Sequence, residues 1–186
     1  MTEKAVNFIG FLWKLDRKAF AHLRRSLRDE PGHYIGAIPY VEPFTLGDTP
    51  SWVRQMYYLV AGLFAYVERP LEPSGSARKP LEQNLGESMA RLYVLKERSP
   101  SIERRFIRLL DADHEQLPSR LRQTVTLLKS NDIPIGWEQL LDDLGYWRSE
   151  QRRVQHRWAR SFYQRAERET QPQESTPEPQ LTGGNE

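Results

Sequence analysis

The chain of 186 residues contains no cysteine. That excludes disulfides, thiolate zinc sites and cysteine nucleophiles, and it suits a reducing compartment. Lysine is scarce, 6 residues against 21 arginines. No apolar run approaches the ~18 residues of a membrane-spanning helix. The oiliest stretch, Met56 to Val67, reads instead as a buried helix. Glu3, Lys4 and Asn7 interrupt the first apolar residues, so the uninterrupted core of a signal peptide is missing. A cytoplasmic protein without membrane contact is expected. There is no phosphate-cradling glycine loop and no nucleophile elbow, and no cofactor is expected.

What is present begins with charge. The net charge of +2 hides an asymmetry. Beyond Arg168 come four acids, Glu169, Glu174, Glu178 and Glu186, and no Lys or Arg. The first 168 residues therefore carry 27 basic against 21 acidic side chains, a net of +6. Arginine offers a planar fork that matches phosphate and a face that stacks on bases. A GC-rich genome would also favour arginine over lysine, so position has to decide.

Apolar residues recur at helical spacing almost throughout. The spacing predicts a first helix over Glu3 to Lys14 and a second over Arg17 to Arg28 with Asp16 as N-cap. Pro31 to Pro50 forms an ordered but irregular connector. Thr49 as N-cap with Pro50 at the first helical position starts a central helix that runs to about Glu68. Arg69 to Pro80 is the exposed linker. Five more helices follow, over about Glu82–Lys96, Ser99–Leu110, Glu115–Lys129, Gly136–Tyr146 and Glu150–Arg168. The expectation is an all-α protein of about eight helices in two small lobes that share a core. Residues 1–75 form the N-terminal lobe and 76–168 the C-terminal bundle. Residues 169–186, dominated by Gln, Pro, Glu, Ser, Thr and Gly, form a disordered acidic tail.

Signs of catalysis are few. Asp111-Ala112-Asp113-His114-Glu115 is the one cluster with metal-ligand chemistry. It lies at a helix-to-helix turn, where acids favour the next helix dipole, and no second histidine stands at ligand spacing. Asp142 and Asp143 point about 100° apart on a helix and cannot face each other as an acid–base pair; a solvated helix surface is expected there. Trp137 and Trp147 read as packing anchors. No metal site and no enzymatic activity are expected.

The arginines, by contrast, fall on flanks. On the last helix Val154, Trp158 and Phe162 mark the inward face. Arg153, Arg157 and Arg160 lie within about 60° of one another on another side, stacked along about 10 Å. Arg24 and Arg28, with Arg17, share a flank of the second helix. Arg104 and Arg108 point outward from the Ser99–Leu110 helix, opposite Ile102, Phe106, Leu109 and Leu110, with Arg105 at the border. Arg122 and Lys129 align at i and i+7. Like charges so spaced repel by a few tenths of a kcal/mol, and a polyanion lying on them would relieve that.

Several ordered segments carry a resemblance. They are Ala21-His22-Leu23-Arg24-Arg25; Asn84-Leu85-Gly86 with Ala90; Ile102-Glu103-Arg104-Arg105-Phe106 continuing to Leu109-Leu110 and Ala112-Asp113; Leu121-Arg122 with Leu127-Leu128; Ile135, Trp137, Leu140-Leu141, Asp143-Leu144 and Trp147; and Arg157-Trp158-Ala159-Arg160 with Phe162-Tyr163. In this order they resemble the CasB family, the small subunit of Cascade, the type I-E CRISPR surveillance complex. The connector from Asp29 to Pro50 matches loosely and the tail not at all.

The resemblance implies a two-lobe helical protein without catalysis of its own. It implies contact with the guide-RNA-carrying backbone subunits, with the large subunit and with a second copy of the chain. It further implies sequence-blind phosphate contacts to target DNA, chiefly the displaced strand. Carried over by position, Arg24, Arg25, Arg104, Arg105, Arg122, Arg157 and Arg160 match the family's basic positions; helix geometry adds Arg28, Arg108 and Arg153. Two other readings stay open. One is a helical DNA-binding transcription regulator built on Ile135–Trp147, although Glu138, Asp142 and Asp143 make that helix acidic. The other is a metal phosphohydrolase resting on Asp111–Glu115.

Overall fold

The computed structural model describes residues 2–71 and 80–169. Most of the linker, with the expected lobe boundary, and all of the tail except Glu169 lie outside them. The described residues form nine α-helices and no strand. They are α1 (Glu3–Leu12), α2 (Arg17–Ser26), α3 (Ile38–Val41), α4 (Ser51–Val67), α5 (Leu85–Leu95), α6 (Pro100–Leu110), α7 (Leu117–Lys129), α8 (Trp137–Gly145) and α9 (Arg153–Arg168). The eight expected helices are there. The ninth, α3, is a single turn in the connector, flanked by 3-10 turns at Ile35–Ala37 and Glu42–Phe44.

Helix starts follow the side chains that satisfy the first free N–H groups. Asp16 caps α2 as expected, accepting from the Ala19 N–H at 2.7 Å. Thr49 does not cap α4. Pro50, extended at ψ 142°, takes that place, and the Thr49 hydroxyl donates back to the Leu46 carbonyl at 3.3 Å. Helix α5 starts at Leu85 because Asn84 and Glu87 form a reciprocal capping box. Asp113 accepts from the N–H groups of Glu115 and Gln116 at 3.0 and 2.8 Å, which holds residues 113–116 in a turn and delays α7 to Leu117. Helix α9 begins at Arg153, later than expected, because Arg152 adopts a left-handed φ of 47°. Its guanidinium donates to the Leu110 carbonyl at 2.6 Å and so closes the C-terminus of α6.

Helix α4 is buried nearly all round. It packs on α2 and, from across the linker, on α7 and α8, while α1 also packs on α8. One continuous hydrophobic core results. Four buried indoles tie its parts together, each N–H finding a distant acceptor. Trp52 donates to the Leu144 carbonyl, Trp137 to Glu68 and Trp147 to the Ala112 carbonyl, at 3.0, 3.0 and 3.1 Å; Trp158 donates to Asp143. Among the described residues, α5 and α9 share the most extensive helix–helix contact. There the Asn84 amide donates to the Ser161 hydroxyl at 2.8 Å.

Candidate nucleic-acid interface

The helical faces lie where the 3.6-residue period placed them. Val154, Trp158 and Phe162 are buried on α9 while Arg153, Arg157 and Arg160 are exposed. On α6, Ile102, Phe106 and Leu109 are buried while Arg104, Arg105 and Arg108 are exposed. Arg24 and Arg25 on α2 and Arg28 just beyond it are exposed; Arg122 on α7 is half-buried. Of these ten arginines, the side chains of Arg25, Arg28, Arg104, Arg105, Arg108 and Arg160 make no hydrogen bond or ion pair with any described residue. Six cationic side chains are thus held at the surface with their donors facing solvent.

The other four are engaged. Arg24 donates to the Phe20 carbonyl of its own helix at 3.3 Å and Arg153 to Gln151 at 2.5 Å. Arg122 donates to the Asp29 carbonyl at 3.1 Å, and desolvation lowers its pKa. Arg157 pairs with Asp143.

That last contact corrects the expectation of a solvated surface at Asp142-Asp143. Asp142 is half-buried, but Asp143 is 1% exposed. Its carboxylate accepts from Trp158, Arg157 and Gln139. Burial raises its pKa, and the three donors work against that rise. Arg157 also borders a cleft with Glu82, Glu87 and Asp142, so its surroundings are acidic. Lys129, expected to extend the flank of Arg122, instead donates to the Tyr66 carbonyl at 2.5 Å and lies 3.7 Å over the Tyr66 ring. It serves the core.

Glu138 is 5% exposed and has no cationic partner among the described residues. Desolvation raises its pKa above the ordinary 4.5. A raised folded-state pKa means stability that is fully present below pH 4.5 and is lost as pH rises through the folded value. Glu138→Gln is therefore expected to raise the thermal midpoint at neutral pH and to leave it unchanged well below pH 4.5. Melting curves at the two pH values check this; equal effects at both would show that the charge of Glu138 is not what matters.

Two clefts gather arginines from different elements. Arg28 and Arg122 border one of about 640 Å³, together with His114 and three acids, Asp29, Glu30 and Glu115. The other is a small notch of about 40 Å³ between α6 and α7, lined by Arg105, Arg108, Arg120, Gln123, Thr124 and Leu127. Arg120 and Gln123 escaped the sequence reading. The available signal was the absence of Asp and Glu from all 13 residues of α7.

The remaining candidate chemistry is used structurally. Asp111 pairs with Arg152 at 3.4 Å, Asp113 caps the turn before α7, and His114 packs edge-on to Trp52. Among the described residues no group of three His, Cys, Asp or Glu could hold a metal ion. No residue of α8 is fully exposed, so that helix has no free face for a DNA groove. No helix among the described residues is long and apolar enough to cross a membrane.

Fold and surface together define an all-helical protein with arginines on several faces that have no partner among the described residues. Residues 19–163 match the model of the CRISPR-associated protein Cse2 family. A CRISPR-associated protein Cse2 of Thermus thermophilus is 42% identical over 81% of this chain and 80% of its own. The crystal structure of M. ruber CasB has 39% identity and a TM-score of 0.79, covering 91% of this chain and 97% of that one. A chain from a CRISPR RNA-guided surveillance complex in a pre-nicking state has 25% identity and a TM-score of 0.75, covering 90% and 96%. The chain belongs to the Cse2 family.

Proposed function

We propose that the chain is a non-catalytic small subunit of a CRISPR RNA-guided surveillance complex, in which it holds nucleic acid without reading its sequence. Its principal ligand there is the displaced non-target strand of the R-loop. Its neighbours are the guide-RNA-carrying backbone subunits, the large subunit and a second copy of itself. The observation that carries this reading is the set of six surface arginines without a partner among the described residues, on a Cse2 fold. Guanidinium groups left free in this way suit phosphate oxygens, and phosphate contacts are blind to sequence. The pre-nicking complex supports the assembly role, since one of its chains shares this fold.

Titration of labelled single-stranded oligonucleotides of different sequence, at several salt concentrations, tests the binding. Similar affinities for all sequences and a steep fall of affinity with salt are expected, because each neutralised phosphate releases counterions. A salt-insensitive or sharply sequence-selective isotherm would overturn the reading.

A further inference from the structure

From the α6/α7 notch we infer a discrete subsite for one backbone phosphate of a nucleic-acid strand, with Arg105, Arg108 and Arg120 as its ligands. The inference rests on the proposed function and narrows it from a charged surface to a place. Arg105 and Arg108 stand one turn apart on α6, and Arg120 enters from α7. None of the three side chains has a hydrogen-bond or ion-pair partner among the described residues. Among the described residues, no acid lines the notch. Helix α7 holds no acid, and the one acid of α6, Glu103, accepts from the Tyr163 hydroxyl at 2.9 Å. Three guanidiniums converging without a carboxylate repel one another, and an anion between them removes that repulsion.

The rest of the lining agrees with an acceptor-only ligand. The Gln123 amide can add a fourth donor. The Thr124 hydroxyl is committed to the Arg120 carbonyl at 3.0 Å. Leu127 supplies an apolar wall, which weakens water's competition for the guanidiniums. Size selects further. The notch of about 40 Å³ exceeds the ~10–15 Å³ that a single water requires, yet it is far below the several hundred Å³ of a site for a drug-sized ligand. It suits one anionic group offered by a flexible chain. A sugar–phosphate backbone offers such a group at every nucleotide, and arginine's fork fits it bidentately.

The test compares the double variant Arg108→Gln/Arg120→Gln with a control of equal charge loss, Arg69→Gln/Lys96→Gln. Melting curves first confirm that both fold. Both are then titrated with labelled oligothymidylate across a salt series, and with labelled oligoglutamate. The notch variant is expected to bind the oligonucleotide about tenfold more weakly than the control. It is also expected to flatten the salt slope by about 0.7 for each phosphate it no longer holds. Wild-type binding with a steep salt slope, and a notch variant equal to the control, would overturn the subsite alone. A salt-insensitive wild type would overturn the proposed function and the subsite with it. A notch variant that loses oligoglutamate but keeps the oligonucleotide would assign the cleft to an acidic protein partner, against the inference. So would a melting temperature that inorganic phosphate raises in wild type and control but not in the notch variant, with oligonucleotide affinity unchanged between notch variant and control, since the notch would then serve a free anion.

Discussion

Gly86→Ala is expected to cost about 3 kcal/mol or more, the upper end of what overpacking causes, and to lower the thermal midpoint by ~6–12 °C in a domain of this size. Gly86 lies in the first turn of α5, against α9. A Cβ there would stand 2.2 Å from the Trp158 carbonyl oxygen and 2.8 Å from its carbonyl carbon. These are backbone atoms in the middle of a helix and cannot turn aside like a side chain. The two helices must separate, which loosens the core around Trp158 and stretches the Asn84–Ser161 hydrogen bond. Gly10→Ala is the matched control. Gly10 is also helical, but nothing lies within 4 Å of its added Cβ, so the better helix propensity of alanine should stabilise by about 1 kcal/mol. Thermal melts of the two variants should therefore move in opposite directions. A Gly86→Ala protein that melts with wild type would show that the α5–α9 contact is looser than described.

The same contact shows how much of the fold was legible in the residues. Helix faces follow a local period, so the buried Val154, Trp158 and Phe162 and the exposed Arg153, Arg157 and Arg160 could be read from spacing alone. Capping was legible where the cap and its helix are adjacent, as at Asp16. It misled at Thr49, where proline occupied the cap itself. The site was less legible because its meaning depends on partners far along the chain. Asp142 and Asp143 look alike in sequence; only the arrival of α9 puts Trp158 and Arg157 on the buried carboxylate of Asp143. Lys129 and Arg122 share a helical side, yet Tyr66 from α4 takes up the lysine. Arg120 joins Arg105 and Arg108 only because α6 and α7 pack together. A period can say which arginines face outward. It cannot say which of them meet a carboxylate there.

That distinction separates three neighbours on α9. Trp158→Ala is expected to cost about 3–5 kcal/mol, the usual loss for truncating a large buried aromatic, out of a total that is commonly about 5–15 kcal/mol. Trp158 is fully buried against Trp147, with ring centroids 5.1 Å apart. Its N–H is also one of three donors that hold the buried Asp143, so the truncation leaves both a cavity and a less compensated charge. Arg157→Ala removes a second of those donors. Because the Arg157 side chain is half exposed, 51%, water can replace part of the missing bond, and a cost of about 1–2 kcal/mol is expected. Arg160 touches no partner among the described residues, and Arg160→Ala should change stability by no more than about half a kcal/mol while weakening oligonucleotide binding and its salt dependence. Melting curves and salt-series titrations on the three variants read the two axes independently. The expected order of midpoints is Trp158→Ala lowest, Arg157→Ala between, and Arg160→Ala with wild type. The expected loss of binding among the folded variants is larger for Arg160→Ala than for Arg157→Ala, since Arg157 is occupied by Asp143 and bordered by Glu82, Glu87 and Asp142. A stable Arg157→Ala protein that loses the strand would reverse the assignment and return Arg157 to the binding face. An Arg160→Ala protein that keeps its full affinity would remove α9 from that face and leave it to α2, α6 and α7.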